Sequence, residues 1–187
     1  MDYYLDIEIL PDAEFSHNTI LNILGLKLHQ FLVEKKELEI GVSFPNYSLK
    51  PRTLGNRLRL HGNQQSLEQV LKSDWLSLLR DHIKLSSVAQ RPLDCGYVDV
   101  RRVQAKSSTY RLAKRYARRH AVSLEEALEL YKDKKDEKLN YPFLSLVSKT
   151  TGQRFNLFIK QSAPHKEFKE GEFNRYGISK TASLPWF

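Results

Sequence analysis

Hydrophobic positions along this chain follow two periods. Residues 3–9, YYLDIEI, alternate and predict a strand, stopped by Pro11 and Asp12. Over residues 17–33, Ile20, Leu24, Leu28 and Phe31 or Leu32 recur at helical spacing. That predicts an amphipathic helix with Asn18 as its N-cap. Gly25 interrupts it, a cost that close packing against a neighbour would justify. Residues 38–44, LEIGVSF, predict a second strand, ended by Pro45 and Asn46. Residues 57–61, RLRLH, predict a short third one whose charged residues face solvent or a bound polyanion. Ser66 and Gln69 form a capping-box pattern ahead of a helical stripe of Leu67, Val70, Leu71, Trp75, Leu78 and Leu79. Residues 96–104, GYVDVRRVQ, predict a closing strand. Strand, helix, strand, strand, helix, strand is the ferredoxin-like order.

The second half has a different texture. The second half of Arg101–His120 predicts a helix, begun by a turn at Lys106–Ser108 and capped by Ser107 or Ser108, with a thin apolar side of Leu112, Ala113 and Tyr116. Ser123 and Glu126 form another capping box before the short helix LEEALEL. Residues 132–140, KDKKDEKLN, predict an exposed linker or mobile loop. PFLSLVS at 142–148 and RFNLFIK at 154–160 predict a hairpin, and Tyr176–Gly177 a turn. Trp186 and Phe187 are expected to dock the end of the chain. The expected class is therefore α+β. An N-terminal ferredoxin-like βαββαβ domain spans 1–98, and 99–187 holds a basic helix and a small strand-rich domain.

Composition supports a folded protein, with 41% hydrophobic residues among 187. The single cysteine, Cys95, excludes an internal disulfide and fits a reducing, cytoplasmic setting. The opening MDYYLDIEIL has no basic region of the kind a secretory signal carries, and no apolar run approaches a membrane span. The charge is uneven. Residues 1–100 hold 11 basic and 13 acidic residues, net −2, whereas 101–187 hold 19 and 9, net +10. A polyanion partner, nucleic acid above all, is therefore assigned to the second half.

The densest basic stretch is Arg101–His120, with six Arg, two Lys and no acid. Arg111, Arg115, Arg118 and Arg119 can share one broad helical face beside Lys114. Like charges so spaced weaken an isolated helix, and a run of phosphates would neutralise them. A solvated basic face is the plain alternative. Arg102 and Gln104, two apart on an extended segment, project from one face and can pair bidentately with guanine and adenine. Phe155 is either core or a platform for an unpaired base. His29, one position past Leu28, is either a boundary histidine or a proton-transfer group. The remaining histidines make no compact ligand pattern, so no metal site and no cofactor are expected. Ser148 has no GxSxG context and is not read as an acyl-transfer nucleophile.

Taken together, several segments make the chain resemble a known family. They are MDYYLDI, GLKLHQFLV around His29, IGVSFP, RVQAKS with the arginine helix behind it, TGQRFNLFI and the tail YGISK…PWF. The chain resembles the CRISPR repeat-processing endoribonuclease of the type I-F system, within the broader CRISPR RNA endonuclease superfamily. The resemblance runs nearly end to end. It implies metal-free cleavage of precursor CRISPR RNA at the base of a repeat hairpin. The neighbouring 2′-OH attacks, giving a 2′,3′-cyclic phosphate and a 5′-OH. It also implies that the enzyme stays on its cleaved RNA and joins other subunits of a surveillance complex.

By the same resemblance His29 matches the histidine that activates the 2′-OH. Ser148 matches the serine that holds this hydroxyl, and Tyr176 a tyrosine that helps orient the histidine. Arg102 and Gln104 match the residues reading bases at the foot of the hairpin, and Phe155 the aromatic packed on the terminal base pair. The basic helix matches the element entering the major groove. Arg115 and Arg119 are the expected groove contacts, Arg118 and Lys114 the expected phosphate contacts. Where the family pattern is richer in arginine, this chain has Ala113 and Lys114. Two other readings compete. One is a non-cleaving hairpin-binding subunit of a ribonucleoprotein. The other is a DNA-binding regulator, disfavoured because a strand, not a helix-turn, precedes the basic helix.

Overall fold

The computed structural model describes residues 1–187. The architecture is α+β with antiparallel sheets. In chain order the elements open with β1 (Tyr3–Ile9), α1 (His17–Glu34), β2 (Gly41–Ser43), β3 (Ser48–Leu49), β4 (Arg52–Thr53) and β5 (Arg57–Gly62). Next come α2 (Gln64–Lys72), a 3₁₀ helix (Asp74–His82), β6 (Ile83–Leu85), β7 (Ala89–Gln90), β8 (Gly96–Val98) and β9 (Val100–Val103). Finally there are α3 (Thr109–His120), α4 (Leu124–Leu130), β10 (Phe143–Val147), β11 (Arg154–Gln161) and β12 (Leu184–Trp186). The chain forms two compact units, Met1–Arg102 with Tyr141–Phe187, and Val103–Asn140.

In the larger unit the main sheet runs β2-β5-β1-β6, with β7 also paired to β1. The alternation that predicted β1 buries Leu5, Ile7 and Ile9 completely. Helix α1 covers the core with Ile20, Leu21, Leu24, Leu28, Phe31 and Leu32. Its N-cap is Ser16, not Asn18: the Ser16 hydroxyl accepts the Thr19 N–H at 3.2 Å. Asn22 on the same helix has another task, accepting the Ser145 N–H of β10 at 2.8 Å. Gly25 eases that approach, since a Cβ there would sit 2.7 Å from a Leu144 methyl and the leucine would have to shift. One continuous core joins β1, α1 and β5 to Leu144, Leu146, Leu157, Ile159, Ile178 and Leu184.

Three further expectations fail, each for a physical reason. Segment 96–104 does not close the main sheet. Its first part, β8, pairs with β12, and β9 lies in a three-stranded sheet of order β10-β11-β9. The closing strand is β6, whose three residues are too few to show alternation. The predicted second helix breaks at Ser73, with α2 capped by Asn63 rather than Ser66. Its 3₁₀ continuation changes the period, so Leu78 is 73% exposed while Leu76 and Leu79 are buried. The charged residues of β5 do not all face outward either. Arg59 and His61 are buried. Arg59 forms a two-pronged pair with Asp6, at 2.7 and 2.9 Å, and donates to the Phe187 carbonyl at 3.1 Å. Its guanidinium lies 4.0 Å from the Phe187 ring centroid and 4.8 Å from that of Tyr4.

The smaller unit is a helix pair. Ser108 caps α3, and Ser123 with Glu126 completes the capping box of α4. Ala121 turns the chain between them at φ 53°. Ala113 and Ala127, both fully buried, allow the helices to approach closely. Segment 132–140 is exposed and irregular, but tethered. Asp136 accepts the Thr109 N–H at 2.6 Å, and Glu137 accepts the Lys106 N–H at 3.0 Å. Acids at the N-terminus of α3 also complement its macrodipole.

Candidate active site and nucleic-acid surface

The larger unit holds a cavity of about 340 Å³ lined by His29, Ser148, Phe155 and Tyr176, with Gln30, Lys149 and Thr150 among its other walls. Segments far apart in sequence build it. His29 sits on α1, one residue beyond buried Leu28, so the ring emerges at the edge of the core stripe. Ser148 follows the last residue of β10, where the hairpin to β11 begins. The contacts from Asn22 and Gly25 to β10 therefore also fix the histidine's helix against the serine's strand.

The hairpin turn is tightly bonded. Ser148 N–H donates to the Gln153 carbonyl at 2.9 Å, and Gly152 N–H to the Ser148 carbonyl at 2.8 Å. Gly152 takes φ 66°, a left-handed value that suits glycine. The Ser148 hydroxyl oxygen accepts the Thr151 N–H at 3.3 Å. Its own O–H remains available to donate into the cavity.

His29 is held on two sides. Nδ1–H donates to the Arg175 carbonyl at 2.8 Å, since a carbonyl can only accept. The ring stacks on Tyr176 with centroids 3.9 Å apart and planes 5° from parallel. With the proton of the neutral ring on Nδ1, the lone pair is on Nε2. Burial pushes the Tyr176 phenol above its usual value, and the nearby charge of Arg102 opposes that. Tyr176 is therefore the neutral phenol throughout the physiological range.

Arg102 lies exposed on β9, beside Arg101, which is engaged with Asp99 at 2.9 Å. Gln104, one residue past β9, is exposed and belongs to the helical unit. In that unit Lys114, Arg115, Arg118 and Arg119 all lie on the exposed side of α3, opposite buried Ala113. Arg115 donates to the Ser107 hydroxyl at 2.8 Å. His29, Ser148, Phe155 and Tyr176 are thus brought to one cavity in the larger unit, and the α3 cations form a basic face in the helical unit. Sequence reasoning missed the Arg175 carbonyl, Gln30 and Lys149. A backbone carbonyl leaves no mark in residue identity, and the two side chains stand out only once the cavity exists.

No helix is long and apolar enough to cross a membrane. The family model described as "CRISPR-associated protein (Cas_Csy4)" matches residues 4–187. Two curated relatives are similar along the full length of both chains. The "CRISPR-associated endonuclease Cas6/Csy4" of Pseudomonas aeruginosa (strain UCBPP-PA14) is 43% identical over 187 residues, covering 100% of each chain. The protein of the same name from Escherichia coli (strain UTI89 / UPEC) is 40% identical over 187 residues, again covering 100% of each.

Proposed function

The chain belongs to the Cas_Csy4 family of CRISPR-associated proteins, and from that membership we propose that it is a metal-independent endoribonuclease. It binds the repeat hairpin of precursor CRISPR RNA and cuts at the 3′ base of the stem. The observation that carries this reading is the cavity shared by His29, Ser148, Phe155 and Tyr176.

The chemistry follows from the donors and acceptors. His29 Nε2 takes the proton from the 2′-OH beside the scissile phosphate. The freed oxygen bonds to phosphorus and the P–O5′ bond breaks, leaving a 2′,3′-cyclic phosphate and a 5′-OH. One proton leaves the 2′-oxygen and one joins the 5′-oxygen, so no net proton is consumed. Ser148 donates to the sugar hydroxyl and holds it in line, the positional part of the catalysis. Phe155 packs on the terminal base pair, and Arg102 with Gln104 reads bases at its foot.

The basic face of α3 supplies affinity. An A-form major groove is deep and narrow, but a short stem, open at its loop and base, admits a helix. Arg115 and Arg119 enter the groove; Lys114 and Arg118 contact phosphates. In functional terms residues 1–98 carry the histidine and 99–187 the RNA-binding surface. A ferredoxin-like arrangement of the first part is supported by the β2-β5-β1-β6 order, with α1 following β1 and α2 following β5. After cutting, the protein keeps its RNA and joins the other subunits of a type I-F surveillance complex in the cytoplasm.

The test is incubation with repeat-hairpin RNA in EDTA, reading fragment ends. A single cut ending in a cyclic phosphate is expected. Tight binding without a cut would mean a non-catalytic hairpin-binding subunit instead.

A further inference from the structure

The two groups that orient His29, the Arg175 carbonyl and the Tyr176 ring, belong to one short turn. Asn174 and Arg175 are exposed and Tyr176 packs only its partly buried ring against the core, so core packing alone does not define the conformation of the turn. Hydrogen bonds do. Asn174 Oδ1 accepts the Tyr176 N–H at 2.8 Å and the Ile178 N–H at 3.3 Å. The Asn174 main chain closes the same loop, its carbonyl accepting the Gly177 N–H at 2.8 Å and its N–H donating to the Ile178 carbonyl at 3.0 Å. This is the side-chain mimicry of a backbone turn for which asparagine is suited.

The turn is also anchored at both ends. The Gly177 carbonyl accepts the Val42 N–H at 2.8 Å, tying it to β2. Gly177 takes φ 69°, and a Cβ there would strike the Val42 side chain. On the other side Arg175 Nη1 donates to the Lys36 carbonyl at 2.9 Å, just beyond the end of α1. Helix α1 carries His29. The guanidinium of Arg175 thus straps the turn to the helix, and the carbonyl of the same residue meets the imidazole that the helix presents.

We propose that Asn174 and the Arg175 side chain are positioning residues that fix the tautomer of His29. The inference rests on the reading of His29 as the base. An imidazole in water exchanges its proton between two nitrogens and favours Nε2–H. A base facing the cavity through Nε2 needs the other form. A carbonyl held at Nδ1 selects that form, because it accepts a proton and offers none. Loosening the turn returns the ring toward the form that cannot accept the 2′-OH proton. Both side chains bond within the protein, Asn174 to its own turn and Arg175 to the Lys36 carbonyl. Both side-chain bonds of Asn174 are made by its oxygen, so an aspartate at this position keeps them and an alanine loses both.

The experiment compares wild-type, Asn174→Ala, Asn174→Asp and Arg175→Ala proteins at full length. Three quantities are measured: the single-turnover rate on repeat-hairpin RNA in EDTA, hairpin affinity, and the nitrogen chemical shifts of the His29 ring. Asn174→Ala is expected to slow cutting by about tenfold to a hundredfold, with hairpin affinity unchanged, while the ring moves toward Nε2–H. Asn174→Asp is expected to restore both rate and ring state. Arg175→Ala keeps the carbonyl and removes only the strap to Lys36. It shows the same shift in weaker form, and it carries the test should Asn174→Ala not fold. Cutting at the wild-type rate with unchanged ring nitrogens overturns the proposal. So does a slower rate without a change of tautomer, or a failure of aspartate to rescue. If wild-type protein does not cut at all, the reading of His29 as base fails. The ring nitrogens then still report whether the turn sets the tautomer.

Discussion

The His29 imidazole lies flat on the Tyr176 ring, centroids 3.9 Å apart and planes 5° from parallel. What the tyrosine gives the histidine is a face, worth about 0.5–1.5 kcal/mol beyond area burial. Tyr176→Phe keeps that face and is expected to cut hairpin RNA within about threefold of wild type, whereas Tyr176→Ala loses about tenfold or more in single-turnover rate. Equal losses in both variants would assign the role to the hydroxyl.

His29→Ala removes the base and leaves the basic face of α3 intact. Cleavage is expected to fall by about 10²–10⁴-fold while hairpin affinity stays nearly unchanged. Parallel measurement of cutting and gel-shift binding checks this. Loss of both would make His29 structural.

A substrate with deoxyribose immediately upstream of the scissile phosphate lacks the nucleophile. It is expected to bind normally and remain whole over the time in which the all-ribose hairpin is consumed. Continued cutting at that site would refute attack by the 2′-OH.

The α3 cations predict a salt signature. Lys114→Ala and Arg118→Ala are each expected to weaken binding to hairpins of any sequence and to lower the slope of log affinity against log salt by about one. Arg102→Ala, at a base-reading position, is expected instead to relax discrimination at the stem foot by about 1–3 kcal/mol. Titrations of matched and mismatched hairpins at several salt concentrations separate the two behaviours.

His61 predicts an acid-sensitive fold. Its ring is fully buried, 2.8 Å from the Ser43 hydroxyl oxygen. Burial first, and then the charge of Arg59, pushes its pKa from 6.5 down to about 3. Between those values the unfolded chain binds a proton that the folded chain refuses. This contribution to stability is therefore fully present above pH 6.5 and is lost as pH falls toward 3, by at most about 1.4 kcal/mol per pH unit. His61→Gln is expected to flatten the fall in urea midpoint between pH 6.5 and 4; an unchanged slope would assign acid sensitivity to other groups.

Local pattern was sufficient where one element faces one neighbour. The 3.6-residue stripe of Ile20, Leu24 and Leu28 predicted α1, and the alternation of Leu5, Ile7 and Ile9 predicted β1, because burying a single face imposes a period on the residues. The Ser123–Glu126 capping box held for the same reason: both partners lie within one helical turn. The pattern failed where a distant segment decides the environment. In RLRLH, Arg59 and His61 alternate with leucines and read as a polar, outward face. In the folded chain Arg59 is instead enclosed by Asp6, Tyr4 and Phe187, the last 128 residues away. A β-strand has two faces, and residue order cannot say what covers the second.

The candidate site divides along the same line. Sequence by itself determined which residue types were on offer: a histidine at the rim of an amphipathic helix, a serine at a strand end, a tyrosine before a turn glycine, and a cationic helix. Tertiary structure decided that the first three line one cavity and that His29 turns Nδ1 to a carbonyl, leaving Nε2 without a protein partner. The group that aims it is the Arg175 carbonyl, 146 residues from His29 along the chain. Every residue carries such a carbonyl, so only the path of the backbone distinguishes this one.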